Sequence, residues 1–316
     1  QTIYSEAYRI SDTNPTTISV TAAGGRSPYT YTWQKKSTVS NTWSNISNVN
    51  QGYLNENSAL TTQTDYRVLV TSSDGCGTLT SNVQSIDVRD ELTAPTVSAA
   101  QTICHNTDAT ISRGASSGAD GNYNYQWQSS TDNITYSSLV SSSGSINTGN
   151  LTQSTYYRVK VSNTLCGTEK ISGSSLVTVR DALDAGVLSV IDDQICYSSL
   201  TTLSANDVSG AGGNYTYQWQ YLDNSVGNWT NTGSSNSPSL STGILNNDRS
   251  YRVIVNSGCN VTDISSTAAI DVADEFTIGN IQNSGIDTIC YNTKPSTLTI
   301  SGTGGRAPYS YQWQRK

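Results

Sequence analysis

Few side chains in this 316-residue chain could do chemistry, and the six cysteines at 76, 104, 166, 196, 259 and 290 come first. None stands in a C-x-x-C spacing, so they do not read as zinc ligands, and disulfides in an oxidising compartment are the expectation. His105 is the single histidine; triads built on histidine and paired histidine metal ligands therefore have no material. Paired carboxylates could in principle hydrolyse a glycoside. The acids, however, cluster at Asp90-Glu91, Asp181 with Asp184, Asp192-Asp193 and Asp274-Glu275 rather than around one cleft. Those clusters could offer oxygen ligands to Ca²⁺, although no D-x-D-x-D calcium loop is written, and a solvated polar linker is the plainer reading. No catalytic, cofactor-binding or metal-ligating residue is assigned, and no enzyme is expected.

The elements that would carry these residues repeat. Tyr29-Thr30-Tyr31-Thr32-Trp33-Gln34 returns as Tyr123-Asn124-Tyr125-Gln126-Trp127-Gln128, Tyr215-Thr216-Tyr217-Gln218-Trp219-Gln220 and Tyr309-Ser310-Tyr311-Gln312-Trp313-Gln314. Aromatics at alternate positions with polar residues between them are the pattern of a half-buried strand. The tryptophans are spaced by 94, 92 and 94 residues, a repeat of whole-domain size. Domains are therefore expected at residues 1–91, 92–182 and 183–275, with the opening part of a fourth at 276–316. A chain stopping just after an aromatic strand, and holding no methionine, is expected to be a piece of something longer.

Other landmarks keep register with that strand. Upstream lie alternating runs such as Thr17-Ile18-Ser19-Val20 and Thr201-Thr202-Leu203-Ser204; downstream lie Trp43, Tyr136 and Trp229. Tyr66-Arg67-Val68-Leu69-Val70, Tyr157-Arg158-Val159-Lys160-Val161 and Tyr251-Arg252-Val253-Ile254-Val255 alternate strictly, with the tyrosine where sandwich domains place a tyrosine corner. Each unit closes on a strand such as Ile86-Asp87-Val88. About seven short strands per unit, frequent turn signals and no helical periodicity predict an all-β chain of tandem immunoglobulin-like β-sandwiches, arranged through short linkers as an extended rod. The core anchors would be Trp33, Trp127, Trp219, Trp313, Tyr66, Tyr157 and Tyr251. Core packing explains these aromatics better than a carbohydrate-stacking platform, with Trp43 and Trp229 the least settled.

In the aligned repeats Cys104, Cys196 and Cys290 share an early position, occupied by Ile10 in the first unit, and Cys76, Cys166 and Cys259 share a late hairpin. Pairing within a unit joins Cys104 to Cys166 and Cys196 to Cys259, leaving Cys76 and Cys290 without assigned partners. Each such bridge would add roughly 4 kcal/mol by loop-closure entropy. Pairing successive cysteines instead, Cys76 to Cys104, Cys166 to Cys196 and Cys259 to Cys290, leaves none over. Within-unit pairing is the expectation, because the other scheme must bring Cα atoms within about 7 Å across an intervening strand.

Only 13% of residues are charged and the net charge is −7, which argues against nucleic acid as a partner. No apolar run approaches the roughly 18 residues of a membrane span.

The run Gly24-Gly25-Arg26-Ser27-Pro28-Tyr29 through Trp33, repeated at 304–313 and combined with Tyr-x-Val-x-Val and Asp74-Gly75-Cys76, resembles the SprB-type and related immunoglobulin-like or PKD-like repeats of Bacteroidota. The second and third units depart from it with Gly121-Asn122-Tyr123 and Gly213-Asn214-Tyr215. The resemblance implies very large cell-surface adhesins exported by the type IX secretion system, some of them serving gliding motility. Its implied partners are neighbouring repeats, surface polysaccharide or substratum, and the outer-membrane secretion and motility machinery. The expected function is thus a spacer in an extracellular adhesin filament; glycan-binding modules and calcium-stiffened repeats are the alternatives. Units of this size should stack at roughly 35 to 45 Å each.

Overall fold

The computed structural model describes residues 3–4, 17–75, 77–165, 167–223, 227–233, 236–285 and 288–316. Every regular element among them is a β-strand, and among these described residues no helix is long and apolar enough to cross a membrane.

Each of the three complete repeats splits its strands between two sheets. In the third, Val187–Val190, Thr202–Asn206 and Ser239–Ser241 form one sheet, while Gln194–Ile195, Ala268–Val272, Arg249–Asn256, Thr216–Asp223 and Trp229–Asn231 follow one another across the other. The two longest strands are the two aromatic motifs. They pair antiparallel with the tryptophan opposite the central valine: Trp33 with Val68, Trp127 with Val159, Trp219 with Val253. Strict alternation then places one side of each pair against the opposite sheet. The strand Thr155–Asn163 alternates buried and half-buried side chains along its whole length, as a period of two requires. The first core gathers Ile18, Trp33, Leu54, Tyr66, Val68, Val70 and Ile86; the third gathers Ile195, Leu203, Trp219, Leu245, Tyr251, Val253, Val255 and Ile270. Thus the chain is a tandem array of all-β, immunoglobulin-like sandwiches.

The chain divides into two compact units, residues 1–101 with 108–178, and residues 102–107 with 179–316. The short segment 102–107 belongs to the second unit although it lies in the sequence of the second repeat. Two links hold it there: the amide of Arg180 donates to the carbonyl of Ile103 at 2.9 Å, and Cys104 is bonded to Cys259.

Residues 276–316 depart from the expected pattern. Two short ladders form, Thr277–Ile278 with Gly302–Thr303 and Gln282–Asn283 with Leu298–Thr299, but residues 304–316 make no strand. Trp313, expected as a core anchor, is 53% exposed. The other three tryptophans are covered by the strand bearing Tyr-Arg-Val, and residues 276–316 include no such run.

Candidate functional site

The features that recur with the least variation lie where one repeat hands the chain to the next. The linkers read Asp90-Glu91-Leu92, Asp181-Ala182-Leu183 and Asp274-Glu275-Phe276. At each, the carbonyl of the aspartate accepts a backbone hydrogen bond from the following repeat's glycine-rich loop: from Ala119 at 2.7 Å, Ala211 at 2.8 Å and Gly305 at 2.8 Å. One residue earlier in each loop stands a left-handed glycine, Gly118, Gly210 or Gly304, with φ of +86°, +81° and +70°. A β-carbon there would lie 1.8 to 2.0 Å from the carbonyl oxygen of Glu91, Ala182 or Glu275, so only glycine lets the linker lie this close. The loop is clamped from its other side by the first tyrosine of the tryptophan strand. Tyr123 donates to the carbonyl of Gly118 at 2.7 Å, Tyr215 to that of Gly210 at 2.8 Å, and Tyr309 to that of Gly304.

The apolar residue of each linker is drawn into the same assembly. Leu92 is buried against Ala119, Val161, Tyr123 and Tyr125, Leu183 packs on the third core, and the rings of Phe276 and Tyr309 lie 5.5 Å apart. Charge adds a further tie at the first linker, where Lys170 meets Glu91 at 2.5 Å and this bond holds the Glu91 carboxyl below the usual carboxylate range. At the third, Arg306 meets Asp271 at 3.1 Å.

The remaining junction acids are spread rather than converged. A side-chain oxygen of Asp184 accepts from the amide of Gly186 at 2.8 Å, and the Asp193 carbonyl accepts from the amide of Asp271 at 2.8 Å. Among the described residues no group of three His, Cys, Asp or Glu side chains is gathered.

The anchors Trp33, Trp127 and Trp219 are each 0% exposed. Each satisfies its indole N–H on a backbone carbonyl at 2.9 Å, that of Gln51, Ser143 or Ser237, as a buried tryptophan must. Tyr66, Tyr157 and Tyr251 are buried beside them. On the outward side of the same sheet the arginine of each Tyr-Arg-Val run donates from Nε to the glutamine after the tryptophan at 2.8 Å: Arg67 to Gln34, Arg158 to Gln128, Arg252 to Gln220. The three guanidinium groups stack over Trp43, Tyr136 and Trp229 at 4.1, 3.6 and 4.2 Å from the ring centroids. One face of each ring is thereby taken by a cation, an arrangement worth about 0.5–1 kcal/mol at an exposed site, and that face is closed to a sugar.

The disulfide corrects both cysteine schemes. Cys104 is joined to Cys259, 155 residues away with Cα atoms 5.9 Å apart, rather than to Cys166 or Cys76. Cys196 is an exposed thiol, as is Cys290, so neither the Cys196–Cys259 nor the Cys259–Cys290 pairing forms. Cys76 and Cys166 lie outside the described residues. The reason is which end of the sandwich each cysteine occupies. Ile195, just before Cys196, pairs in parallel with Val272 of the last strand, at the end where the chain leaves the repeat. The hairpin of Cys259 lies at the end where the chain arrives: its Gly258 donates to Gly213 at 3.0 Å, in the loop that receives the linker. Between the two ends runs the strand Arg249–Asn256, eight residues long, or about 26 Å. No disulfide spans that distance.

A family described as a domain of unknown function (DUF8696) has a sequence profile that matches residues 1–90, 93–181 and 185–274. The chain belongs to the DUF8696 family. No curated protein matches it. Among solved structures it is similar to the three N-terminal domains of the bacteriophage RB49 Highly Immunogenic Outer Capsid protein (Hoc), at 16% identity over 86% of this chain and 97% of that one, TM-score 0.32. It is similar also to three FN domains of chicken CNTN1, at 15% identity over 85% and 96%, TM-score 0.29, and to domains from titin, at 15% identity over 86% and 97%, TM-score 0.33.

One element of the DUF8696 repeat escapes a reading for aromatics and cysteines. The strand after the hairpin is interrupted in every repeat, and a serine, Ser81, Ser172 or Ser265, bridges the break. Its hydroxyl accepts from the amide of Val68, Val159 or Val253 at 2.9 to 3.0 Å, while its own amide donates back to the same residue's carbonyl. The signal was in the register, since these serines recur 91 and 93 residues apart. In a chain so rich in serine they carried no mark of their own.

Proposed function

We propose that these DUF8696 repeats are spacers of a large extracellular cell-surface adhesin, not an enzyme and not a nucleic-acid binder. The observation that carries this reading is the junction: three linkers, each hydrogen-bonded through its aspartate carbonyl to a glycine loop with no room for a β-carbon. Such linkers leave little free chain for hinge motion, unlike the Gly/Ser-rich tethers that behave as random coils. The same local junction recurs at every linker, as expected of an array built from like units. The Cys104–Cys259 disulfide is compatible with an oxidising, extracellular compartment. The resemblance to SprB-type repeats supplies the narrower proposal of a Bacteroidota surface filament exported by type IX secretion, with adhesion or gliding as its role. Small-angle scattering of the oxidised chain tests the spacer reading. A maximum dimension above roughly 110 Å, unchanged by calcium, is expected from the strand lengths. A radius of gyration near the roughly 20 Å of one 316-residue globule would overturn it.

A further inference from the structure

Cys104, Cys196 and Cys290 sit in one local frame. Each begins a turn closed by a backbone bond from the residue three positions on: Thr107 to Cys104 at 3.3 Å, Ser199 to Cys196 at 3.2 Å, Thr293 to Cys290 at 3.2 Å. The third residue of every turn has positive φ, 58° at Asn106, 60° at Ser198 and 63° at Asn292. The residue before the cysteine is tied to the departing last strand in the same way, Ile103 by the amide of Arg180 and Ile195 by that of Ala273, both at 2.9 Å. In the one case where a hairpin cysteine stands a repeat later in this chain, the frame carries a disulfide to it, Cys104 to Cys259. Cys196 presents the same frame with its thiol exposed, and residues 276–316 contain no cysteine after Cys290 that could reach it from the equivalent hairpin.

We propose that Cys196 is a cross-linking site for the hairpin cysteine of a following repeat of the same polypeptide, and that Cys290 serves the next repeat in turn. Every repeat is then stapled to its successor by a bond from turn cysteine to hairpin cysteine. In the aligned sequence Ile10 takes the place of the turn cysteine in the first repeat, so this register assigns no cysteine of the chain to Cys166. This reading of the thiols stands apart from the adhesin proposal. Closing each bond removes two electrons and two protons from two thiols, and a small disulfide such as oxidised glutathione accepts them. One thiolate attacks the small disulfide and expels a glutathione thiol. The second thiolate then attacks the mixed disulfide and expels the other.

The test extends the full chain past Lys316 with an in-register copy of residues 223–274, completes oxidation with oxidised glutathione, and maps peptides without reduction. Cys196 should be recovered joined to the appended hairpin cysteine, with Cys166 and Cys290 alkylated as free thiols. A bond from the appended cysteine to Cys290, or from Cys166 to Cys196, overturns the proposal. So does a freely alkylated Cys196 when loss of Trp313 exposure shows that the appended repeat has folded. Should it not fold, Cys104→Ser in the unextended chain decides the register by itself. Cys259 should then remain a thiol, and its capture by Cys196 would overturn the proposal.

Discussion

The amide of Ala211 donates to the carbonyl of Asp181 at 2.8 Å, and beside that bond a β-carbon on Gly210 would lie 1.8 Å from the oxygen of Ala182. The linker is thus part of the third repeat's glycine loop rather than a tether leading to it. Aspartate in the linker acts through its backbone carbonyl here, and among the described residues the junction acids do not gather into a cation site.

Gly210→Ala should therefore do more than impose a left-handed alanine. That conformational cost is about 1–2 kcal/mol, and the clash with Ala182 adds to it by forcing the linker away. Gly24 is the matched control: its φ is +81° but nothing lies within 4 Å of the added carbon. Thermal unfolding should show the third repeat losing more in Gly210→Ala than the first loses in Gly24→Ala, with faster amide exchange at Ala211. Equal losses would remove the case for a clearance-limited junction.

Trp127→Ala should destabilise the second repeat by about 3–5 kcal/mol, the usual cost of deleting a large buried aromatic. The indole is 0% exposed and its N–H is satisfied by Ser143, so truncation leaves both a cavity and an unmet carbonyl. Hydrogen exchange resolved by repeat is the measurement. The first and third repeats should keep their protection, and parallel loss in all three would contradict separate cores.

Ser172→Ala isolates the bridging serine. The Val159 amide loses its 2.9 Å partner in a buried setting where an unpaired donor costs about 1–3 kcal/mol. The midpoint of urea unfolding for the second repeat should fall accordingly. A change within error would mean that water or a shifted strand replaces the hydroxyl.

What could be read in the sequence follows from what a two-residue period encodes. Alternation says which side chains face inward, so the burial of Trp33, Trp127, Trp219, Tyr66, Tyr157 and Tyr251 was legible, whereas which strands pair was not. It does not say which end of a sandwich a loop occupies. Cys196 and Cys259 share a repeat yet lie at its opposite ends, and this is why the bond skips to the neighbouring repeat's turn. Trp313 shows the complementary limit, for its motif matches the buried three while its burial depends on a strand that residues 276–316 do not include. The role of Gly118 beside Glu91 and of Gly210 beside Ala182 appears only when the two backbones are seen together.

Glu56 joins the core tyrosine of the first repeat to a surface charge. Tyr66 donates to its carboxylate at 2.7 Å, the Ser58 amide donates at 3.2 Å, the Ser58 hydroxyl donates as well, and Lys35 lies 3.3 Å away. Burial pushes the Glu56 carboxyl up, but the bonds from Ser58 and Tyr66 and the charge of Lys35 outweigh it and hold it below the ordinary glutamate value. Burial and the facing carboxylate raise Tyr66 far above the ordinary tyrosine range, so the phenol remains the donor. A carboxyl whose folded pKa is depressed contributes stability above its unfolded pKa of about 4.3, and that contribution is lost as pH falls through the folded value. At pH 7, Glu56→Gln should cost the first repeat about 1 kcal/mol, since a neutral amide replaces a charged acceptor. The gap between the variant and the parent should close as pH is lowered below about 4 and stay constant from pH 6 to 8. Unfolding midpoints of the first repeat across that range provide the check. A gap that widened in acid would mean that Glu56 is held protonated in the folded chain, reversing the sign of the argument.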